Sequence, residues 1–527
     1  MKIDNSEKLY NLLPLLIFAI SAIYYLSYYN VGINLSDQGY FTNVTIRILN
    51  GQVPYRDFIY YPPGANYVVA LLFKLTGPSL LTERVFWVSV VSGSVLLTFL
   101  IARKIMPFPY SAVPPALALL VPGPWHKALI PFFYLLSALV SSKYIDHKSS
   151  KWAFICGVIA GFTIYFRYDV AGFISIGMML LFFSMNFIGC ERITVKKWLS
   201  ETASFLAGLF LTIAPGVFFF AFSKGGRDAF AYLMYLTFKQ QGGGSMAYPF
   251  PALSLGLLHR DFWGFFESVL FYIPPAVIGF VIILFASHWI KGRVEKKDFL
   301  LLLLAFLGMA AYNQTLIRAE WAHLLQSTHI IYLFLPYLIW MINSSLPGLK
   351  TVALNKILKG SLSIIFICFA ISFISFFINK ENIYSGTIGV LGQKEARLNI
   401  SRAGVFIRKQ EAGEIEGMIA YIDKITNAGE PILVIPYAPM IYYLADRENP
   451  TYFDAIFPGT FEDEAMEKSF INDIKKNKIR LIVYQDIAFT DKESSRLKNY
   501  ARPLYDYIMQ NYKPAAKFGD YQIFLRN

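Results

Sequence analysis

Apolar runs separated by short polar stretches recur near 9–29, 80–105, 111–122, 127–145, 152–168, 170–189, 203–222, 263–290, 299–316, 328–345 and 358–378. At about 1.5 Å of rise per residue, a helical run of roughly twenty residues crosses a hydrocarbon layer about 30 Å thick. No water is available there, so a spanning segment must satisfy its own backbone groups, and helix is the expected form. The pattern therefore predicts a polytopic α-helical membrane protein with about eleven transmembrane helices. The Pro-broken 111–122 run is the shortest of them. The first run ends in Tyr24, Tyr25, Tyr28 and Tyr29, an aromatic belt rather than a small-residue cleavage site, and reads as an uncleaved span.

Two polar segments interrupt this rhythm. The first, 30–79, is turn-rich and then semi-amphipathic. The second, 223–262, holds Lys224-Gly225-Gly226-Arg227-Asp228 and the run Gln240 to Ser245. Glycine leaves the backbone unrestrained, so this second segment reads as a mobile loop. After 379 charges become dense. Short β-rich runs (Ile432 to Tyr437, Ile479 to Tyr484, Tyr521 to Leu525) alternate with helical stretches near 410–427, 462–476 and 492–511. Residues 1–378 are thus expected to form the membrane domain, and 379–527 a small α/β soluble domain. No phosphate-cradling glycine loop and no internal repeat is visible.

Composition agrees with the pattern. Of 527 residues 55% are hydrophobic and only 16% charged, where a soluble chain carries about 25%. A net charge of +13 would suggest nucleic acid in a soluble protein. Here the excess lies in short loops and sets topology instead, so nucleic acid is not an expected partner. With the N-terminus cytoplasmic, five basic clusters fall inside: Arg103-Lys104; Lys143, Lys148 and Lys151; Arg192, Lys196 and Lys197; Lys291, Arg293, Lys296 and Lys297; Lys350, Lys356 and Lys359. An odd number of spans then leaves 379–527 outside the plasma (inner) membrane. Cys156, Cys190 and Cys368 lie in or beside apolar runs without metal-ligand spacing, and read as small hydrophobes.

This topology collects ionisable residues on the outer face. The first outer loop reads Asn34-Leu35-Ser36-Asp37-Gln38-Gly39-Tyr40, then Asn50-Gly51-Gln52-Val53-Pro54-Tyr55-Arg56-Asp57-Phe58, then Tyr61-Pro62-Pro63-Gly64. An acidic residue just past the first span is followed by a short helix ending at Asn-Gly, and Pro-Pro-Gly opens a second. In this order of parts the chain resembles the GT-C superfamily of integral membrane glycosyltransferases, in the branch of the protein O-mannosyltransferases and the ArnT-like aminoarabinose transferases. The likeness spans the whole architecture: first-loop Asp, two interfacial helices, about eleven spans and a soluble C-terminal domain.

The resemblance implies transfer of a sugar from a polyprenyl-phosphate donor to a lipid, glycan or protein acceptor at the outer face. Asp37 matches the family's first-loop Asp. A carboxylate in a partly dehydrated cavity can serve as general base for an acceptor hydroxyl, with inversion at the anomeric carbon. The plain alternative is that Ser36 or Asp37 caps the helix that follows, and the two roles are compatible. Asp57 either takes part as a second carboxylate or closes its own turn.

The lipid-phosphate leaving group needs cations in a low-dielectric site. Arg56, Arg84, Arg167, Arg227 and Arg318 all fall outside; snorkelling or ion pairing, such as Glu83 beside Arg84, is the plain reading of each. Arg167 and Asp169 either line the sugar-phosphate pocket or neutralise each other. The stretch Arg318-Ala-Glu320-Trp-Ala-His323 resembles a segment of some of these transferases and reads as a turn. His323 is either a phosphate or sugar ligand or a satisfied interfacial histidine.

The six histidines show no metal-binding spacing, and no cofactor is expected, although a divalent metal stays open. The Trp-Trp-Asp-type signature of oligosaccharyltransferases is missing, which argues against oligosaccharide transfer to asparagine. A lipid-linked sugar flippase or transporter is the main rival. Transporters place ionisable residues near the bilayer midplane, whereas these spans are nearly charge-free at their middles. A non-catalytic scaffold would leave the ordered first loop unexplained.

Overall fold

The computed structural model of the protein describes residues 5–121, 123–188, 194–241, 247–345, 352–378, 390–490 and 492–527. Cys190, Arg192, Lys350 and the glycines at 242–244 lie outside the described residues. The chain forms two compact units. Unit one takes Met1–Tyr28, Trp87–Ala214 and Pro249–Val390; unit two takes Tyr29–Phe86, Pro215–Tyr248 and Leu391–Asn527.

Each of the eleven apolar runs carries helix. Unit one is built from α1 (Asn5–Leu26), then most of a helix at Leu80–Ile105, then helices at Val113–Leu120, Leu129–His147, Ser150–Thr163, Tyr168–Phe187 and Val195–Phe222, the last leaving the unit after Ala214. Phe262–Val269, Ile273–Ile290, Lys296–Ile317, Thr328–Ser345 and Val352–Ile378 complete it. Among the described residues six helical stretches are long and apolar enough to cross a membrane, and the other apolar helices are shorter. The chain is an integral membrane protein.

Two runs differ from their expected form. The 263–290 run breaks at 270–272, because Pro274 and Pro275 suit the first turn of a new helix and not the interior of a long one. Val113–Leu120 has eight residues, about 12 Å of rise, too little to span alone.

The polar ends of unit one are nonetheless well defined. Lys104 Nζ lies 3.3 Å from Asp146 Oδ2, and Lys296 Nζ donates to the Asp146 carbonyl at 3.0 Å. These contacts gather the C-termini of Leu80–Ile105 and Leu129–His147 with the N-terminus of Lys296–Ile317 at one end. Since Leu129–His147 finishes where Leu80–Ile105 finishes, the segment between them has to return the length of the unit. At the opposite end Gln314 Nε2 donates to Asp169 Oδ2 at 2.8 Å, joining the end of one helix to the start of another.

Small residues set the tightest approach in unit one. Gly157 and Gly161 of Ser150–Thr163 face Gly208 and its neighbours on Val195–Phe222. A Cβ at Gly157 would meet the Phe205 carbonyl, one at Gly208 the Phe154 carbonyl, and one at Gly161 the Thr212 hydroxyl. This is backbone-to-backbone packing of the small-xxx-small kind, which replaces the hydrophobic drive that lipid cannot supply. The rest of Val195–Phe222 is mostly exposed apolar surface, as a lipid-facing helix should be.

Unit two is an α/β body. In chain order it contributes α2 (Asp37–Leu49), α3 (Gly64–Thr76), the opening turns of Leu80–Ile105, and α4 (Gly226–Tyr235). There follow β1 (Ala396–Arg397), β2 (Phe406–Ile407), α5 (Lys409–Ile425), β3 (Leu433–Ile435), α6 (Met440–Ala445), α7 (Glu464–Lys476), β4 (Leu481–Gln485), α8 (Leu497–Tyr500), α9 (Arg502–Asn511), β5 (Tyr512–Phe518) and β6 (Tyr521–Arg526).

The main sheet has the order β3-β4-β6-β5, with β3 and β4 parallel and the remaining pairs antiparallel. Strand alternation divides its residues cleanly between two faces. Val434, Leu481, Val483 and Ile523 face α5, while Leu433, Ile435, Ile482 and Phe524 face α7 and α9. β5 was not expected from the sequence. It is an edge strand with four of seven residues exposed and Pro514 inside it, so it lacks the apolar alternation by which a strand is read. In α3, Tyr67, Val68, Leu71 and Leu75 are exposed, an apolar outer face suited to a lipid surface.

Candidate functional site

Asp37 is the first residue of α2. Its predecessor Ser36 stands at the N-cap but makes no side-chain cap bond. The Asp37 carboxylate is engaged elsewhere: the Tyr437 hydroxyl donates to Asp37 Oδ1 at 2.5 Å. Tyr437 comes from the loop after β3, 400 residues away. Its ring is wedged against Tyr40, Phe457 and Phe489, with Phe457 closest at 4.5 Å between centroids. Burial first, and then the neighbouring Asp37 carboxylate, hold the Tyr437 phenol well above its ordinary pKa. It therefore remains a proton donor to the carboxylate. The positive end of α2 favours that charge as well.

The first turn of α2 is seated on α6. The Met440 backbone N–H donates to the Leu35 carbonyl at 3.1 Å, and a Cβ at Gly39 would collide with the Met440 backbone. Glycine at 39 is what permits this approach. Tyr40, Tyr60 and Tyr61 make an aromatic cluster next to Asp37, with Tyr40 and Tyr60 in edge contact at 4.7 Å. A cavity of about 350 Å3 opens beside the preceding residues, lined among others by Asn34, Ser36, Glu411, Glu414, Gln485 and Asp520.

Glu83 and Arg84, adjacent in sequence, serve different partners. The fully buried Glu83 accepts from the Thr42 hydroxyl at 2.5 Å and from Gln38 Nε2 at 3.4 Å. Arg84 donates to the carbonyls of Tyr29, Val31 and Gly32 and to Gln38 Oε1. Its guanidinium is thus engaged in holding the segment that leads into α2.

Beyond them, buried Arg47 bonds Asp454 Oδ1 at 2.9 Å, and Asn43 and Asn449 share that oxygen. This network ties α2 to the C-terminal part of the unit, and residue spacing alone gave no sign of it.

Asp57 closes its own turn. Its Oδ2 accepts from the Val53 amide at 2.7 Å, and Arg56 forks onto both oxygens. The hydrogen bond from Arg56 is the largest influence that draws its pKa below the usual carboxylate value. Arg227 is exposed on the first turn of α4.

Unit one brings its own candidates together at the end opposite Asp146. Arg167 forks onto Asp169 at 2.7–2.9 Å, and Asp169 also takes Gln314. After Lys296–Ile317 the chain turns sharply. Arg318 Nε lies 2.9 Å from Glu320 Oε2, His323 Nδ1 lies 2.8 Å from Glu320 Oε1, and Lys127 Nζ lies 3.2 Å from His323 Nε2.

Burial, together with Lys127, lowers the His323 pKa to about 4 against the pull of Glu320. This lowering favours the neutral ring, which lies between Glu320 and Lys127. Burial alone would raise Glu320, but the contacts from His323 and Arg318 bring it to about 2.

Lys127, Glu320 and Gln314 were not among the expected site residues. Lys127 was readable as a basic residue at the very start of the apolar run 127–145. Among the described residues no group of three or more His, Cys, Asp or Glu is placed to hold a metal ion.

No family model and no curated protein matches the sequence. Solved structures do. The apo oligosaccharyltransferase of Archaeoglobus fulgidus superposes over 98% of this chain and 74% of its own, at 13% identity and a TM-score of 0.50. The same archaeal enzyme, AglB, in complex with an inhibitory peptide and a dolichol-phosphate matches at 14% identity over 98% of this chain and 74% of its own, with a TM-score of 0.48. ArnT from Cupriavidus metallidurans bound to undecaprenyl phosphate matches over 98% of this chain and 97% of its own, at 12% identity and a TM-score of 0.48. The chain shares its fold with the apo archaeal oligosaccharyltransferase structure. At this identity the likeness is one of fold.

Proposed function

We propose that the protein is a membrane glycosyltransferase that moves a sugar from a polyprenyl-phosphate-linked donor to a hydroxyl- or amine-bearing lipid, glycan or protein acceptor. In this reading Asp37 takes the proton from the acceptor. The acceptor oxygen or nitrogen attacks the anomeric carbon, the bond from that carbon to the phosphate oxygen breaks, and the polyprenyl phosphate departs with the electron pair. A single displacement of this kind inverts the anomeric centre. Within unit one, Arg318, Arg167 and Lys127, each paired with Glu320, Asp169 or His323, carry the kind of positive charge that a lipid phosphate needs. Arg84 and Arg47 act in support, by fixing the segment and helix that carry Asp37. The cavity beside Asn34 and Ser36 offers acceptor-sized space one residue from Asp37, lined by groups that hydrogen-bond hydroxyls and amines.

The observation that carries the reading is the GT-C-like fold with a carboxylate heading α2, held by a partly buried tyrosine. The flippase alternative has no corresponding use for such a fixed carboxylate.

The test is transfer from single-sugar polyprenyl-phosphate donors by the purified protein in lipid. Asp37→Asn keeps the shape and the helix start but removes the base. A loss of about 10²–10⁴-fold in turnover is expected, the usual worth of a positioned base, with membrane insertion unchanged. Near wild-type turnover in that variant would remove Asp37 from the mechanism.

A further inference from the structure

Tyr437 is separated from Asp37 by 400 positions, yet its hydroxyl donates to the candidate base at 2.5 Å from Oδ1. Three features make this more than a passing surface contact. The ring is held on three sides by Tyr40, Phe457 and Phe489, so its hydroxyl has little freedom. The loop that carries it leaves β3, a fully buried strand at one end of the main sheet, and is followed directly by α6. The first residue of α6, in turn, bonds Leu35 and abuts Gly39. The same few residues of the C-terminal segment therefore fix both the backbone and the side chain of the first turn of α2.

We propose that Tyr437 is a positioning residue for the reaction: it fixes the orientation of the Asp37 carboxylate and keeps it ionised down to lower pH, so that proton transfer at Asp37 depends on the C-terminal α/β segment. This rests on the reading of Asp37 as the base. The C-terminal segment is then a working part of the site and not only a cover.

A hydrogen bond donated to a carboxylate favours its ionised form. Losing it moves the carboxylate pKa upward by about one unit, the scale set by the strength of a hydrogen bond to a charged group. The other ionisable groups around the pair are Tyr60, which lies in the field of both Asp37 and Glu83, together with Tyr40 and Tyr61. Burial holds Tyr40, Tyr60 and Tyr437 above the ordinary tyrosine pKa, and the nearby carboxylates besides Asp37 are Glu83 and, in the cavity beside Ser36, Glu411, Glu414 and Asp520. Glu83 belongs to the Thr42 and Gln38 contacts, which a change at Tyr437 leaves intact.

The experiment compares Tyr437→Phe with wild type and Asp37→Asn in the full-length protein, by pH profiles of kcat and kcat/KM. Phe keeps the ring packing and removes only the hydroxyl. The expected result is a kcat about 10-fold lower with KM for the lipid donor unchanged, and an acidic limb shifted up by about one pH unit. An acidic limb at the wild-type position, with Asp37→Asn inactive, would overturn the role of Tyr437 while leaving Asp37 as the base. An active Asp37→Asn would instead remove the reading on which the proposal rests. Thermal unfolding of the Phe variant serves as the control: a folded variant whose kcat falls with no change in the pH limb also counts against the proposal, because general loosening lowers rate without moving a titration.

Discussion

At the scale of single residues the cationic side chains differ in what holds them. Arg84 and Arg47 are both buried and saturated by fixed partners, whereas Arg318 and Lys127 meet at a turn around Glu320 and His323. The neutrality of His323 has a thermodynamic consequence. Its pKa is about 4 in the folded protein and 6.5 when exposed. Below pH 6.5 the unfolded chain binds a proton that the folded one refuses. This residue's contribution to stability is therefore complete above pH 6.5 and is lost as pH falls toward 4, by up to about 3 kcal/mol. Lys127, Arg318 and Glu320 are the charges that face it. Thermal unfolding in detergent between pH 7.5 and 5 should show a steeper decline for wild type than for His323→Gln. Equal slopes would mean that the ring is already protonated. Asp37 was singled out at this scale by its place in an order of parts that resembles the GT-C transferases. Tyr437 was not, since nothing local distinguishes it from the other 33 tyrosines.

The elements follow from sequence where a period or a run length decides them. Every apolar run became a helix, and the Asn-Gly and Pro-Pro-Gly signals ended α2 and opened α3 where expected. β5 escaped because an edge strand need not alternate. The closeness of Ser150–Thr163 to Val195–Phe222 escaped because two glycines four apart are common in any apolar run; only the facing Gly208 gives them meaning.

That contact makes a prediction. Gly157→Val places methyl groups against the Phe205 backbone, which cannot withdraw. Unfolding should be easier by about 1–3 kcal/mol, the usual cost of overpacking. The same change at Gly172, where a Cβ meets nothing within 4 Å, should have little effect. Similar losses at both sites, measured by unfolding in mixed micelles, would show that the effect does not come from the contact with Val195–Phe222.

Across the whole molecule, three of the basic clusters expected on the cytoplasmic side meet at one end of unit one through Lys104, Asp146 and Lys296. The Arg167, Lys127 and Arg318 groups lie at its other end. If the positive-inside rule sets the orientation, a cysteine replacing exposed Lys468 on α7 reacts with an impermeant thiol reagent in intact cells, and one replacing Arg293 reacts only after lysis. The reverse pattern would invert the topology.

Run lengths and charge asymmetry determined by themselves that this is a polytopic membrane protein with a C-terminal α/β segment, because bilayer thickness and backbone hydrogen bonding act on each segment independently. The order of parts in the first loop was enough to single out Asp37. Which residues touch Asp37 was decided only by tertiary structure. Tyr437, the Met440 contact and the Asp454 network reach α2 from hundreds of residues away, and such contacts depend on how the sheet and helices of unit two pack, which no local pattern encodes. The same holds for His323, whose neutrality comes from burial beside Lys127 and not from any feature of its own stretch of sequence.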